Sequence, residues 1–245
     1  MLDFAMLTNT SAAATLHAQI FDESERGVRA FYTPGVEREI HGVFDGDALV
    51  SVLNFFSVSV NGAPCVYMAG VCTHPDYRGR GLFRRNFAKA KETSRYDVRN
   101  LFCIPANDSL FGLYESVGLR KRTCASLLPL VGDGCGGKAF DGDYGRLFAL
   151  YCASKPDVQH NFPLFRACVD NFLASGRAFY AGDGFALTDR TGVRFACGAN
   201  PDELRGLLRG RFELLTRAGQ GREVYLAAYC GDRIQEDTYI NLLFN

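Results

Sequence analysis

The sequence has no tryptophan, few lysines (5 against 22 arginines) and no surplus of either charge: Lys+Arg and Asp+Glu both number 27 in 245 residues. A formal charge of zero removes the basic excess that a general nucleic-acid binder carries. Long apolar runs are also missing. The longest, from Leu49 to Val60, is interrupted by Ser51, Asn54, Ser57 and Ser59, too short and too polar for a membrane helix. No Lys or Arg precedes Arg26, so the charged start of a secretory signal is not expected. The four histidines are scattered and no two cysteines stand at CxxC spacing, which argues against a metal site. The nine cysteines are odd in number and lie mostly in apolar runs. Their expected state is reduced, buried thiols in a cytoplasmic protein.

What is present reads as an α+β chain. Helical periodicity covers Ser11 to Phe21, and a second short helix is expected over Glu23 to Tyr32. Three strands then follow as an antiparallel meander, Glu39 to Phe44, Ala48 to Val60 and Cys65 to Thr73, with Asp45-Gly46 and Asn61-Gly62 as hairpin turns. A helix is predicted from Leu82 to Ser94, a short strand at Leu101 to Ile104, a short helix at Ser109 to Val117 and a strand at Thr123 to Val131. The segment from Gly132 to Gly145 holds six glycines and reads as a linker. It divides the chain into residues 1–131, a linker at 132–145, and a smaller α+β region at 146–245. In that region helices are expected at Phe162 to Ala174 and Pro201 to Thr216. Strands are expected at Ala178 to Leu187, Gly192 to Cys197, Glu223 to Cys230 and Thr238 to Phe244.

The segment that carries chemistry is Val71 to Leu82, a strand running through His74-Pro75-Asp76-Tyr77-Arg78-Gly79-Arg80-Gly81 into a helix. Glycines free the loop amides, the helix dipole adds positive potential and Arg78 and Arg80 add charge, so a pyrophosphate is the natural ligand. The bland alternative is a solvated basic turn. A Walker loop is absent, and a dinucleotide loop would need a different strand context.

Arg78-x-x-Gly81 after a strand ending Val-x-Thr-x-Pro resembles the acetyl-CoA signature of the GCN5-related N-acetyltransferases (GNAT). Asn107 and Tyr114-x-x-x-Gly118-Leu119 resemble the second motif of that family, in the expected order. The likeness covers about residues 40 to 131. It departs at Phe83, where the family usually has Gly or Ala; bulky residues there also occur in tandem acetyltransferases of the enhanced-intracellular-survival type. The resemblance implies a GNAT fold, a mixed and mostly antiparallel sheet with flanking helices, followed by a region compatible with a degenerate second copy. It implies acetyl-CoA as cosubstrate, with no metal. Pyrophosphate would rest on Arg78, Gly79, Arg80, Gly81, Leu82 and Phe83, pantetheine would pair along Val71, Cys72 and Thr73, and Asn107 would add a contact or merely cap a turn. Tyr114 would protonate the leaving CoA thiolate or, in the bland reading, pack as a core aromatic. The acceptor would be the amine of a small molecule or peptide, with no nucleic acid and no membrane as partner. The sequence carries no signal for an oligomeric state.

A base is harder to find. Ala48 to Thr73 contains no Asp, Glu or His. In the tandem relatives the chain's terminal carboxylate reaches the acetyl site, which makes Asn245 a candidate base; the alternatives are a water chain and, for the tail, a plain last strand. Two competing functions remain: a non-catalytic acyl-CoA-binding or sensor module, and an unrelated phosphate-binding domain.

Overall fold

The computed structural model describes residues 2–21, 23–134, 136–219, 221–241 and 244. The first half contains β1 (Leu2–Leu7), α1 (Ser11–Phe21), α2 (Glu25–Phe31), β2 (Arg38–Asp45), β3 (Ala48–Val60), β4 (Ala63–Thr73), α3 (Leu82–Thr93), β5 (Leu101–Cys103), α4 (Phe111–Glu115) and β6 (Lys121–Asp133). After it come β7 (Lys138–Ala139), α5 (Tyr144–Ala153), β8 (Val158–Gln159), α6 (Phe162–Phe172), β9 (Arg177–Ala181), β10 (Gly184–Thr188), β11 (Gly192–Cys197), α7 (Pro201–Arg205), β12 (Arg209–Arg217) and β13 (Arg222–Tyr229).

All of these strands join one mixed sheet in the order β1-β2-β3-β4-β5-β13-β6-β12-β11-β10-β9-β7, with β8 paired to β3. Most neighbours are antiparallel. The parallel pairs are β4 with β5 and β11 with β12, one in each half. The halves are interlocked. β13, late in the chain, lies between β5 and β6, while β6 leaves β5 and pairs with β12 along Ala125–Asp133.

The long strands are apolar on both faces because helices cover both. On β3, Val52, Phe56, Val58 and Val60 face α1 and α2, while Leu53 and Phe55 face α3. On β4, Cys65, Tyr67 and Ala69 share the α1–α2 side, yet so does Cys72, an even-numbered residue. The change of parity marks a β-bulge, in which Gly70 and Val71 oppose Leu53 alone, and Gly70 adopts φ +57° there.

Several local readings differ from the structure. The single strand expected over Ala178 to Leu187 is a hairpin of β9 and β10, turned at 182–183, and β7, α5 and β8 lie where no strand or helix is expected. β1 lies where no element is expected; its mixture of exposed and half-buried residues reads as coil until it is paired with β2. The expected helix from Pro201 to Thr216 stops at Arg205, with Gly206 as its C-cap, and the rest becomes β12 because Leu214 faces a core shared with β6 and β11. The Thr238 to Phe244 stretch forms no strand among the described residues, although Ile240 and Phe244 are buried.

Candidate active site

β4 and β5 pair only at Val66↔Leu101 and Tyr67↔Phe102 and then part. From Met68 to Thr73 the outer edge of β4 therefore has no strand beside it among the described residues, and Val71, Cys72 and Thr73 lie on this free edge. Arg78 turns back so that its Nε donates to the Thr73 carbonyl at 3.2 Å, which fastens the loop to the end of the strand. Tyr77, in a 3-10 turn, donates to Asp45 at 2.9 Å and ties the loop to the β2–β3 hairpin. Arg80 lies over the Tyr77 ring at 4.7 Å, and its guanidinium donates to the Asp76 carbonyl.

Gly79 and Gly81 have φ of +74° and +70°, a region L side chains avoid, and a Cβ on either would meet no atom within 4 Å. The loop is thus open to solvent on the side where Cβ atoms would stand. Gly81 is the N-cap of α3, and its carbonyl accepts the first helical bond, from the Arg85 N–H. The amides of Leu82, Phe83 and Arg84 precede that bond, so they stand at the positive end of the dipole without helical acceptors. The first turn of α3 contains no acid. Leu82 is buried against Val43 and Val50. Phe83 turns its ring inward, against Phe87 and edge-on to Tyr114 with ring centres 5.7 Å apart, so bulk at this position is taken up by the core.

Tyr114 sits in α4 between the first turn of α3 and the end of β5. Burial raises its phenol pKa, with nearby Cys103 adding to the shift. The hydroxyl makes no hydrogen bond among the described residues. Arg84 bridges α3 to the following turn through the Ser116 hydroxyl at 2.9 Å. Asn107 is exposed and caps a 3-10 turn, accepting from the Ser109 N–H and hydroxyl, with no partner for its amide nitrogen among the described residues. Burial pushes the Cys72 thiol up to about 12, against the opposing effect of Arg78, and so disfavours its thiolate. Asn245 lies outside the described residues. Its neighbour Phe244 is buried against Phe31 and Phe56, and its carbonyl accepts the Tyr67 hydroxyl at 2.8 Å, at the point where β4 and β5 part.

A second polar group lies on the other face of β4, at the bulge. His17 of α1 is 4% exposed, and its Nε2 is 2.8 Å from the Glu23 carboxylate. Its Nδ1 faces the Tyr32 hydroxyl at 3.5 Å. A Cβ on Gly70 would press on Phe31, Asn54 and His17 together. Asn171 of α6 donates to Glu23 at 2.5 Å and to the Gly27 carbonyl at 3.2 Å. Neither spacing nor motif marks this group in the sequence: α1, α2 and α6 bring it together through tertiary packing.

Residues 5–121 match the acetyltransferase (GNAT) domain family. No curated protein sequence matches the chain. Among solved structures, the chain is similar to a GCN5-related N-acetyltransferase from Kribbella flavida, with a TM-score of 0.61 and 16% identity over 94% of this chain and 71% of that one. Eis1 from Mycobacterium abscessus gives 0.61 and 11% over 94% and 73%, and a GCN5-related N-acetyltransferase from Anabaena variabilis gives 0.63 and 11% over 94% and 71%. At these identities the likeness is one of fold. The glycine loop, the parted strands and the domain match fall in one place, so residues 5–121 carry an acetyltransferase (GNAT) domain.

Proposed function

We propose that the chain transfers an acetyl group from acetyl-CoA to the amine of a small molecule or peptide by direct attack on the thioester. The observation that carries this reading is the free edge of β4, which leads into an open glycine loop and the uncapped start of α3, with Tyr114 against that first turn. Pyrophosphate is held by the amides from Gly79 to Phe83, assisted by Arg78 and Arg80, and pantetheine pairs along Val71 to Thr73. Asn107 offers its amide nitrogen to the cofactor. The amine attacks the thioester carbon between the parted strands, and collapse of the intermediate expels the CoA thiolate, which Tyr114 protonates. A phenol kept protonated by burial suits that task. The division into a cofactor domain at 1–131, a linker at 132–145 and a region at 146–245 that walls the acceptor side belongs to the same reading, as does a reducing, cytoplasmic setting for the free thiols.

The amine must also lose a proton. One route is the α-carboxylate of Asn245, supported by the seat of Phe244 beneath the parting of β4 and β5.

The test measures stabilisation by CoA and CoA release with a panel of amines. Stabilisation by CoA but not ATP, with thiol release in the presence of an amine, is expected. CoA binding with no release for any amine supports the binding-module reading instead, and stabilisation by ATP alone overturns the acetyl-CoA assignment.

A further inference from the structure

The acceptor side of β4 lacks an acid or base of its own, yet a carboxylate and an imidazole are built in behind its bulge. Gly70 and Val71 interrupt the pairing with β3, and the space a Gly70 side chain would fill is bounded by His17 Nδ1, Asn54 Nδ2 and the Phe31 ring. Glu23 is held on its outer side by Asn171. Gly27 makes room for it, since a Cβ there would collide with the Glu23 carboxylate. These contacts fix the imidazole in one orientation, with Nε2–H donating to Glu23 and Nδ1 open toward the Tyr32 hydroxyl. Glu23 is 20% exposed and His17 only 5% at their side chains, so the group opens to water at its carboxylate end.

We propose that Tyr32, His17 and Glu23 form the path by which the acceptor ammonium loses its proton in the acetyl-transfer reaction proposed above, on which this inference rests. The ammonium donates to the Tyr32 oxygen as the Tyr32 hydroxyl proton passes to His17 Nδ1. A neutral amine and an imidazolium paired with Glu23 result. The amine attacks the thioester carbon, the C–S bond breaks, Tyr114 protonates the thiolate, and the second amine proton restores Tyr114. The imidazolium proton leaves through the exposed edge of Glu23. The balance is RNH3+ and acetyl-CoA going to the amide, CoA thiol and one proton released to solvent. The Tyr32–His17 contact is long, as catalytic hydrogen bonds often are before substrate closes the site. Burial raises the Tyr32 phenol pKa, so Tyr32 passes a proton and does not remain ionised. Glu23 acts as a positioning residue. The ionisable groups that face this path are Glu23 from the α1–α2 turn, Tyr32 at the end of α2, Arg38 at 5.6 Å over the Tyr32 ring, and Cys72 from β4.

The experiment compares pH profiles of kcat/KM for the full chain, His17→Gln, Tyr32→Phe, and a chain extended by a few residues after Asn245. CoA-induced thermal stabilisation of each variant verifies the fold. Wild type should reach a plateau below the pH at which the amine itself becomes neutral, because the path removes the ammonium proton. His17→Gln should be slower by about 10²-fold at neutral pH and keep rising with pH toward the amine's own ionisation, because only amine that is already neutral can react. Tyr32→Phe, which keeps the ring, should lose the plateau too, and the extended chain should keep it. Profiles for His17→Gln and Tyr32→Phe that run parallel to wild type overturn the path even if rates fall, as does loss of the plateau in the extended chain alone. A wild-type chain that binds CoA and acetylates no amine overturns the transfer reading itself, a result separable from the variant profiles.

Discussion

Each half of the molecule contains a parallel strand pair joined through a helix, and the two connections were built differently. After β4 the chain crosses an open glycine loop into α3, a helix of 12 residues with no side-chain cap, no acid in its first turn, and Arg84 and Arg85 there instead. After β11 it turns through Gly198 into α7, which has five residues and caps itself. Asn200 accepts from the Asp202 and Glu203 amides, and Glu203 returns a bond to the Asn200 N–H. A Cβ at Gly81 meets no atom, whereas one at Gly198 stands 3.0 Å from the Asp183 carbonyl and the Gly184 Cα. The second connection satisfies its own amides, fills its own space and places two acids where the first places arginine. The same topology therefore leaves a helix start open in one half and makes a structural turn in the other. The difference lies in whether the helix start is left unsatisfied.

The largest expected effect tests that contrast directly. Gly81→Val should remove CoA-induced thermal stabilisation, with affinity down about 10²-fold or more, since it forces a β-branched residue into a positive φ at the amides proposed to hold pyrophosphate. Gly198→Val should lower the melting temperature yet leave the CoA affinity of the folded protein unchanged. Equal effects on affinity would erase the distinction between the two connections. Tyr114→Phe should keep CoA affinity and lower turnover about 10²-fold. Because burial raises the Tyr114 pKa, the acid form persists through neutral and mildly alkaline pH, so no falling limb from this residue should appear between about pH 7 and 9 in the wild-type rate.

Proteolysis asks how far the halves depend on each other. Cleavage between residues 134 and 142 should leave both pieces together on a sizing column, because β13 lies between β5 and β6. Separation into two folded fragments would mean that the shared strands contribute little. Smaller changes are expected at the rim. Arg80→Ala should weaken CoA roughly threefold to tenfold at low salt and less at high salt, as expected of an exposed cation near phosphate. Asn171→Ala frees Glu23 from the second half and should lower turnover roughly threefold without moving CoA affinity.

Much of the first half is legible because its signals are local. Helix α1 coincides with the periodic stretch from Ser11 to Phe21, Asn61-Gly62 makes its hairpin, and the glycine loop lies at the strand-to-helix junction that its residue types require. The second half is less legible. The Leu-Leu-x-x-x-Phe-x-Leu-Leu run after Arg205 satisfies helical spacing as well as strand alternation, and pairing with β6 decides between them. α5, capped by Asp143, is hidden within and beyond a glycine-rich segment. The His17–Glu23–Tyr32 group leaves no trace in the sequence because its members become neighbours only when α2 packs on α6 and β4 bulges at Gly70.

The place of β13 also governs the order in which this protein can come into being. β5 contributes only three residues, Leu101–Cys103, and takes its second neighbour from Ala228 and Tyr229, near the far end of the chain. On a ribosome the first half emerges long before that neighbour exists. Until residues 222–229 have emerged, one edge of its sheet stands bare and the floor beneath the parted strands is unfinished. Folding must therefore wait for a contact of great sequence separation, a slow step that leaves an open strand edge exposed to other chains. A nascent chain stalled before residue 222 would be expected to need a chaperone to keep that edge from pairing elsewhere.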